Sequence, residues 1–262
     1  MQTVIFIPAR YASTRYPGKP LVTLKGATGL KKSLIERAFE AARQVRGVDA
    51  IYILTDDTRI AEAARGFGAD VLMTSEQARN GTERCAEGLA QLSALPDVVI
   101  NLQGDAPLTP PWFVEALIES MQDETVQMAT PILRCDPETL KNFVLDRQNG
   151  RVGGTTAVAR QDGSALYFSK EVLPYVGDLG APPEVWHHVG VYAYRPAALS
   201  AYMGFPEGAL ERAEGLEQLR FLENAIPVTC VPAQARGRVF WELNNPVDVA
   251  RIEAVLKKEG IS

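Results

Sequence analysis

The sequence holds few of the residues from which disulfide frameworks, metal clusters and histidine-based active sites are built. Its 262 residues include three cysteines and two histidines, and the cysteines Cys85, Cys135 and Cys230 show no metal-binding spacing. They are interpreted as free thiols, which fits a reducing compartment. No apolar run approaches bilayer length, and the first residues lack the pattern of a secretory signal. We therefore expect a cytoplasmic protein with no membrane partner.

A net positive charge is also lacking, since the formal net charge is −5. This balance argues against nucleic acid as the partner, and it means that any cluster of cations has a local purpose. The chain contains no Walker A sequence, no Rossmann G-x-G-x-x-G and no combination that demands an acyl-enzyme. The apolar share of 46% supports a sizeable core. One α/β domain with a subdomain is expected at this length.

Apolar strand-like runs alternate with helical patterns through the first hundred residues. This alternation predicts βαβ units in a doubly wound, mostly parallel sheet. Strands are predicted at 4–8, 50–55, 70–73 and 97–102, and helices at 33–45, 57–67 and 82–93.

The pattern changes near residue 127 to short strands between turns, which predicts a smaller β-rich subdomain. The predicted strands there are 127–133, 155–159, 165–168 and 188–194; a helix over 208–224, strands near 227–232 and 239–243 and a helix over 246–258 follow. We divide this single domain into a nucleotide-binding half (1–126), a β-rich sugar-binding or dimerisation part (127–206) and a return to the main sheet (207–262).

The first predicted strand runs directly into a loop rich in cations and hydroxyls. A buried parallel strand delivers such a loop to the carboxyl edge of its sheet, where ligands bind. Arginine forks and a lysine can surround a polyanion such as a triphosphate, although three clustered cations can also form a solvated loop. The loop's candidate residues are Pro8, Ala9, Arg10, Ser13, Thr14, Arg15 and Lys19.

The loop contains three characteristic stretches, Ile7-Pro8-Ala9-Arg10, Ser13-Thr14-Arg15 and Pro17-Gly18-Lys19. Together they resemble the N-terminal signature of the bacterial cytidylyltransferases that activate 3-deoxy-manno-octulosonate (Kdo) as CMP-Kdo. The resemblance implies a nucleotide-diphospho-sugar transferase-like fold, CTP and an acidic sugar as substrates, Mg²⁺ as cofactor and a homodimer. It implies catalytic roles for Arg10, Arg15, Lys19 and Asp105.

Gln103-Gly104-Asp105 ends a strand that begins near Val98, at the same sheet edge as the cationic loop. A Gly-Asp pair after a strand is often only a turn. Beside a triphosphate loop, a hard carboxylate oxygen suits Mg²⁺. The resemblance assigns Asp105 to the metal, and Gln103 to the nucleotide and the sugar acid.

Two further strand-to-helix turns resemble parts of the family's nucleotide pocket. In the first, Asp56 is the candidate, although Asp56 or Asp57 could equally cap the next helix. In the second, Asn80, Gly81 and Thr82 resemble a Ser-Gly-Thr-Glu-Arg turn, with Asn80 in place of serine; Thr82 could also be a helix N-cap.

The second half of the chain resembles the family's acceptor site. Ala165-Leu166-Tyr167-Phe168-Ser169-Lys170 has a lysine where the family has arginine, so the charge is kept and the bidentate fork is lost. His188 and Tyr192 stand four apart, on one face of a predicted strand. Glu217 and Gln218 are expected on the polar face of helix 208–224, to hold sugar hydroxyls or to form a dimer interface.

Two segments depart from the family pattern. Asn244 stands where a second metal-binding aspartate is expected, with Glu242 two residues earlier, so we assign both to a shared metal region with Asp105. Gly153-Gly154-Thr155-Thr156-Ala157 replaces an Asn-x-Val-Lys run. We expect transfer of CMP from CTP to Kdo, for lipopolysaccharide synthesis. A cytidylyltransferase for 8-amino-Kdo or a sialic-type acid, or a non-catalytic nucleotide-binding protein, are the alternatives.

Overall fold

A computed structural model describes residues 1–12, 16–152, 154–238 and 240–262. The strands are, in order, β1 Thr3–Pro8, β2 Thr23–Lys25, β3 Lys31–Ser33, β4 Ala50–Thr55, β5 Asp70–Met73, β6 Val98–Leu102, β7 Met128–Arg134, β8 Thr156–Ala159, β9 Ala165–Ser169, β10 Trp186–His188, β11 Val191–Tyr194 and β12 Val228–Ala233. The helices are α1 Leu34–Arg43, α2 Thr58–Gly66, α3 Gly81–Leu89, α4 Pro111–Ser120, α5 Pro137–Gln148, α6 Pro196–Tyr202, α7 Ala209–Glu214, α8 Leu219–Glu223 and α9 Asp248–Lys258, with a 3₁₀ turn at Lys19–Leu21.

The chain divides into two compact units. Unit 1 is Met1–Glu115 with Ala235–Ser262, and unit 2 is Ala116–Gln234. These limits differ from the sequence-based division at 126 and 206, because β12 pairs with β7 and so keeps the chain up to residue 234 in unit 2.

Unit 1 is built on parallel strands in the order β5-β4-β1-β6. In the register, Val4 of β1 lies opposite Ala50 of β4 and Val99 of β6. The chain moves from β1 through β4 to β5 and then crosses back to β6 on the other side of β1, so right-handed crossovers place α1 and α2 on one face and α3 on the other. The predicted doubly wound sheet is thus confirmed.

Continuous burial explains why β1 lies inside this sheet. Val4 is 3% exposed, and Ile5, Phe6 and Ile7 are fully buried. A strand covered on both faces is apolar throughout rather than alternating. Beyond its carboxyl end, the Ala9 N–H donates to the Leu54 carbonyl, which continues the pairing with β4 into the loop.

Polar side chains cap the helices that follow the sheet strands. Ser33 caps α1, Asp57 caps α2 and Asn80 caps α3, each accepting a hydrogen bond from a backbone N–H in the first turn. The alternative that Thr82 is the N-cap of α3 is wrong, because the helix begins at Gly81 and the Asn80 Oδ1 accepts from the Glu83 N–H at 2.8 Å.

Unit 2 is a mixed sheet centred on β7. β12 is parallel to β7, while β10 and β11 are antiparallel to it, and β8 pairs with both β10 and β9. The predicted strand 188–194 is two strands, β10 and β11, because the chain bends at residues 189–190. The Cys230 N–H also donates to the Gly163 carbonyl, which links β12 to the turn before β9.

The predicted helix 208–224 is two short helices. Gly215 ends α7 with a left-handed φ of 61°, a conformation that glycine adopts without steric cost, and α8 begins at Leu219. Gln218 is consequently buried beside Leu219 rather than on an exposed polar face. Residues 240–243 form no strand, and position 239 of that prediction lies outside the described residues. No helix within the described residues is long and apolar enough to cross a membrane.

Candidate active site

A cleft of about 280 Å³ opens in unit 1 at the carboxyl ends of β1 and β6. It forms there because both strands end in loops of small and polar residues, which leave the sheet edge uncovered. Its walls include eight of the residues chosen from the sequence, namely Pro8, Ala9, Arg10, Lys19, Asn80, Gly81, Gln103 and Asp105. The structure therefore brings most of the predicted nucleotide residues together. Ser13, Thr14 and Arg15 lie outside the described residues.

Lys19 and Asp105 form an ion pair within this cleft, with the Lys19 Nζ 2.6 Å from the Asp105 Oδ2. Lys19 starts the 3₁₀ turn directly after Gly18, whose φ of 71° lets the chain reverse, and the Gly18 N–H donates to the Tyr11 carbonyl. Both side chains are partly exposed, at 12% and 26%. The cleft thus presents a cation and a carboxylate on one accessible edge.

Asp56 reaches this cleft through Arg84. The Arg84 Nη1 lies 3.3 Å from the Asp56 Oδ1 and also contacts the Thr74 hydroxyl, and its side chain is 3% exposed. Burial lowers the pKa of Arg84. Asp57, not Asp56, caps α2, so the two aspartates have separate structural partners. Arg84 lines the cleft but was not singled out from the sequence, where it was one residue of a helical turn.

Gly81 and Gln103 approach each other closely at the start of α3. A β-carbon on Gly81 would lie 2.8 Å from the Gln103 Nε2 and 3.3 Å from the Asn101 Nδ2, so only glycine fits here without displacing a side chain. Gln103 donates to the Asn101 Oδ1 at 3.2 Å. The buried Asn101 Nδ2 has no acceptor among the described residues. Thr82 is fully buried.

The segment with Glu242 and Asn244 lies beside Asp105, because the Leu243 N–H donates to the Asp105 carbonyl at 2.9 Å. The Asn244 Nδ2 is 3.4 Å from the Glu242 Oε2. Asp248 secures the turn by accepting from the Asn244 N–H at 3.0 Å. Within the described ranges, no three histidine, cysteine or carboxylate side chains form a metal cluster by themselves.

In unit 2 the structure brings His188, Tyr192 and Gln218 together. The rings of His188 and Tyr192 are 5.7 Å apart despite the bend between their strands. The Tyr192 hydroxyl donates to the Gln218 Oε1 at 3.3 Å. The three side chains form a nearly buried layer, with exposures of 5%, 4% and 1%. Burial is also the main reason that the pKa of His188 is lowered to about 3.

Glu214 connects Lys170 to the turn that carries Glu217. Its carboxylate accepts from the Ser169 hydroxyl at 2.6 Å and from the Lys170 N–H at 2.8 Å. A β-carbon on Gly215 would lie 2.9 Å from the Lys170 Nζ, so the ammonium group lies directly over that glycine. Lys170 and Glu217 are both half-buried, in contrast to the layer of His188, Tyr192 and Gln218.

Comparison with known proteins agrees with this architecture. Residues 4–228 match the family model described as "Cytidylyltransferase". A 3-deoxy-manno-octulosonate cytidylyltransferase of Maricaulis maris (strain MCS10) is 41% identical over 99% of each chain. The chain belongs to the 3-deoxy-manno-octulosonate cytidylyltransferase family.

Other members of the family show the same relationship. A mitochondrial member from Arabidopsis thaliana is 36% identical over 100% of this chain and 85% of its own. A solved structure of CMP:2-keto-3-deoxy-manno-octonic acid synthetase complexed with CTP aligns with a TM-score of 0.85 and 31% identity, covering 99% of this chain and all of that one. The predicted family and fold are therefore confirmed.

Thr130 and Thr155 also contact His188, and sequence reasoning missed both as site residues. Thr130 lies inside a predicted core strand, and Thr155 lies in the segment that departs from the family pattern. Their roles could not have been found from local motifs, because each depends on a partner more than 30 residues away.

Proposed function

We propose that this chain joins CTP to Kdo, giving CMP-Kdo and pyrophosphate, and so activates the sugar for lipopolysaccharide synthesis. The observation that carries this proposal is the unit 1 cleft, in which Lys19 and Asp105 meet at the carboxyl ends of β1 and β6. The 41% identity to a relative of that name, over the full length of both chains, supports the same substrates.

The cleft residues suit the binding of a nucleoside triphosphate. Arg10 and Lys19 are cations that can neutralise phosphate oxygens and the charge that develops on departing pyrophosphate. The start of α3, at Gly81, lies on the wall of the cleft, and the N-terminus of a helix favours the binding of negatively charged groups there. The transfer needs positioning and charge neutralisation more than a covalent nucleophile.

The sugar acid is proposed to bind the unit 2 residues. Lys170 is proposed to supply a positive charge for the sugar carboxylate; its ammonium group is close to Gly215, two residues before Glu217. Glu217, on the turn after Gly215, can bind sugar hydroxyls. Gln218, His188 and Tyr192 form a hydrogen-bonded layer next to this turn, and we propose that the Gln218 amide, with His188 and Tyr192 behind it, orients the sugar acid.

The cofactor is proposed to be Mg²⁺, and the residues beside Asp105 fit it. Two carboxylates, on Asp105 and Glu242, and the amide oxygen of Asn244 are the hard oxygen donors that this ion prefers, with water and phosphate oxygens completing its coordination. The hydrogen bond from Leu243 to Asp105 keeps the two donor segments adjacent. Bound there, Mg²⁺ would supply charge neutralisation at the phosphates and lower the pKa of the acceptor hydroxyl.

The test is pyrophosphate release by purified protein, with CTP, UTP, ATP or GTP offered with Kdo, 8-amino-Kdo or N-acetylneuraminate. Release that requires CTP and is fastest with Kdo is expected. Faster release with another acid would identify that acid, and not Kdo, as the substrate. CTP binding without pyrophosphate release from any pair would indicate a nucleotide-binding protein without catalysis.

Variants in the same assay test the cleft. Lys19→Ala should raise the Michaelis constant for CTP or reduce turnover, whereas Lys25→Ala, an exposed lysine on β2, should match wild type. Asp105→Asn and, to a smaller degree, Glu242→Gln should raise the Mg²⁺ concentration needed for half-maximal rate. Unchanged Mg²⁺ dependence in Asp105→Asn would refute the metal assignment.

A homodimer in the cytoplasm is proposed for the working enzyme. Within the part of the chain that the structure describes, the three cysteines form no disulfide, which is the state that a reducing compartment maintains. Light scattering coupled to size-exclusion chromatography tests the dimer, and a monomeric mass at assay concentration would contradict it.

A further inference from the structure

His188 is held on both sides by threonine hydroxyls. Its Nδ1 lies 3.1 Å from the Thr155 Oγ1, and its Nε2 lies 3.1 Å from the Thr130 Oγ1. The Gln218 Nε2 lies 3.5 Å from the same Nδ1. Both nitrogens of this ring therefore have oriented polar neighbours, although the side chain is 5% exposed.

The Thr130 hydroxyl has one proton and several acceptors near it. Its oxygen lies 3.0 Å from the Val189 carbonyl oxygen and 2.9 Å from that of Val191. Unless Thr130 donates to these carbonyls, three oxygen atoms face one another without a proton between them. The hydroxyl therefore donates to the carbonyls and can only accept from His188.

Burial keeps the His188 ring neutral, because it lowers the pKa to about 3. A neutral imidazole carries its single proton on one nitrogen. Since Thr130 must accept, that proton is on Nε2, and Nδ1 is an acceptor for the Thr155 hydroxyl. The nearest atom of Gln218 must then be its NH₂ group, which directs Oε1 toward Tyr192, where the tyrosine hydroxyl donates to it at 3.3 Å.

We propose that Thr130 is a positioning residue, which holds His188 as the Nε2–H tautomer and thereby sets the orientation of the Gln218 amide beside the sugar acid. This deepens the function proposed above and rests on it. His188 then brings no positive charge to the sugar, so that the carboxylate depends on Lys170. Reversing the tautomer would reverse the donor and acceptor ends of Gln218.

Nitrogen-15 NMR of the imidazole rings tests the tautomer without any substrate. The chain has two histidines, so a His187→Gln variant leaves the signals of His188 alone. A protonated Nε2 and an unprotonated Nδ1 at pH 7 are expected. The reverse tautomer, an even mixture or a charged ring would overturn the proposal, and this result does not depend on the reaction or on any further variant folding.

Kinetics then test the consequence for the sugar acid. Thr130→Val, which keeps the shape and removes the hydroxyl, should raise the Michaelis constant for Kdo about tenfold, or about 1.4 kcal/mol, and leave that for CTP unchanged. It should also shift the His188 proton away from Nε2. Thr130→Ser should restore both values, because it restores the hydroxyl.

Thr3→Val is the matched control, since Thr3 is fully buried and its hydroxyl has no partner among the described residues. It should behave as wild type in both measurements. If Thr130→Val leaves either the tautomer or the Michaelis constant for Kdo unchanged, the proposal fails. If wild type shows the expected tautomer but releases no pyrophosphate with Kdo, the proposed function fails, and with it the role of Gln218 in binding that sugar.

Discussion

Acid should destabilise this fold through His188, and the His188→Gln variant should not show that part of the loss. Burial lowers the pKa of His188 from 6.5 to about 3 in the folded protein. Below pH 6.5 the unfolded chain therefore takes up a proton that the folded chain does not. Stability falls as the pH drops from about 6.5 toward 3, and protonation of the folded state ends the decline.

The size of this effect follows from the two pKa values. At pH 5 nearly every unfolded ring is charged and nearly every folded ring is neutral. The free energy of unfolding is therefore about 2 kcal/mol lower at pH 5 than at pH 7. Any folded-state pKa below about 4 gives nearly the same figure at pH 5. Burial also lowers the pKa of His187, to about 4, but His187 is present in both proteins, so its contribution cancels.

The assay is urea unfolding followed by circular dichroism, for wild type and His188→Gln, at pH 7, 6 and 5. Glutamine can still meet the two threonine hydroxyls but has no group that titrates in this range. Wild type should lose about 2 kcal/mol more than the variant between pH 7 and pH 5. Parallel curves would mean that the folded ring takes up its proton over the same pH range as the unfolded ring, and the reasoning on its burial would be refuted.

Two further predictions concern stability. Glu211→Ala should cost about 3–5 kcal/mol, because it leaves the buried Arg220 without the carboxylate that binds it through two nitrogens at 2.6 Å. Glu115→Ala, which removes the partner of the exposed Arg46, is the control and should leave the urea midpoint nearly unchanged. If both variants lost the same free energy of unfolding, the contrast between the buried and the exposed ion pair would be contradicted. Asn80→Ala should lower the free energy of unfolding by about 1 kcal/mol, because it removes the side-chain cap of α3. Asn80→Ser should retain most of the stability, because serine can also cap a helix. A thermal scan that finds serine as destabilising as alanine would contradict the capping role.

The first hundred residues allowed the fold to be predicted because their patterns are local. The continuous apolar run from Val4 to Ile7 predicts a strand covered on both faces, and such a strand in a parallel sheet delivers its loop to the carboxyl edge. The same reasoning brought Lys19 and Asp105 to one edge, where the structure pairs them across 86 residues of sequence. Motif resemblance then identified the family.

The acceptor half depended on tertiary structure. A polar and apolar repeat over 208–224 is compatible with one helix, and the left-handed turn at Gly215 becomes favourable only when the chain on either side packs elsewhere. That break buries Gln218 and directs it toward His188.

By itself, the sequence determined the buried parallel strands, the cleft at their ends and the family, because periodicity and short motifs are properties of neighbouring residues. Only the tertiary structure decided which ring nitrogen of His188 carries the proton and which way the Gln218 amide faces. Those depend on the Thr130 hydroxyl, which is 58 residues from His188 and reaches it only when β7 and β10 pair.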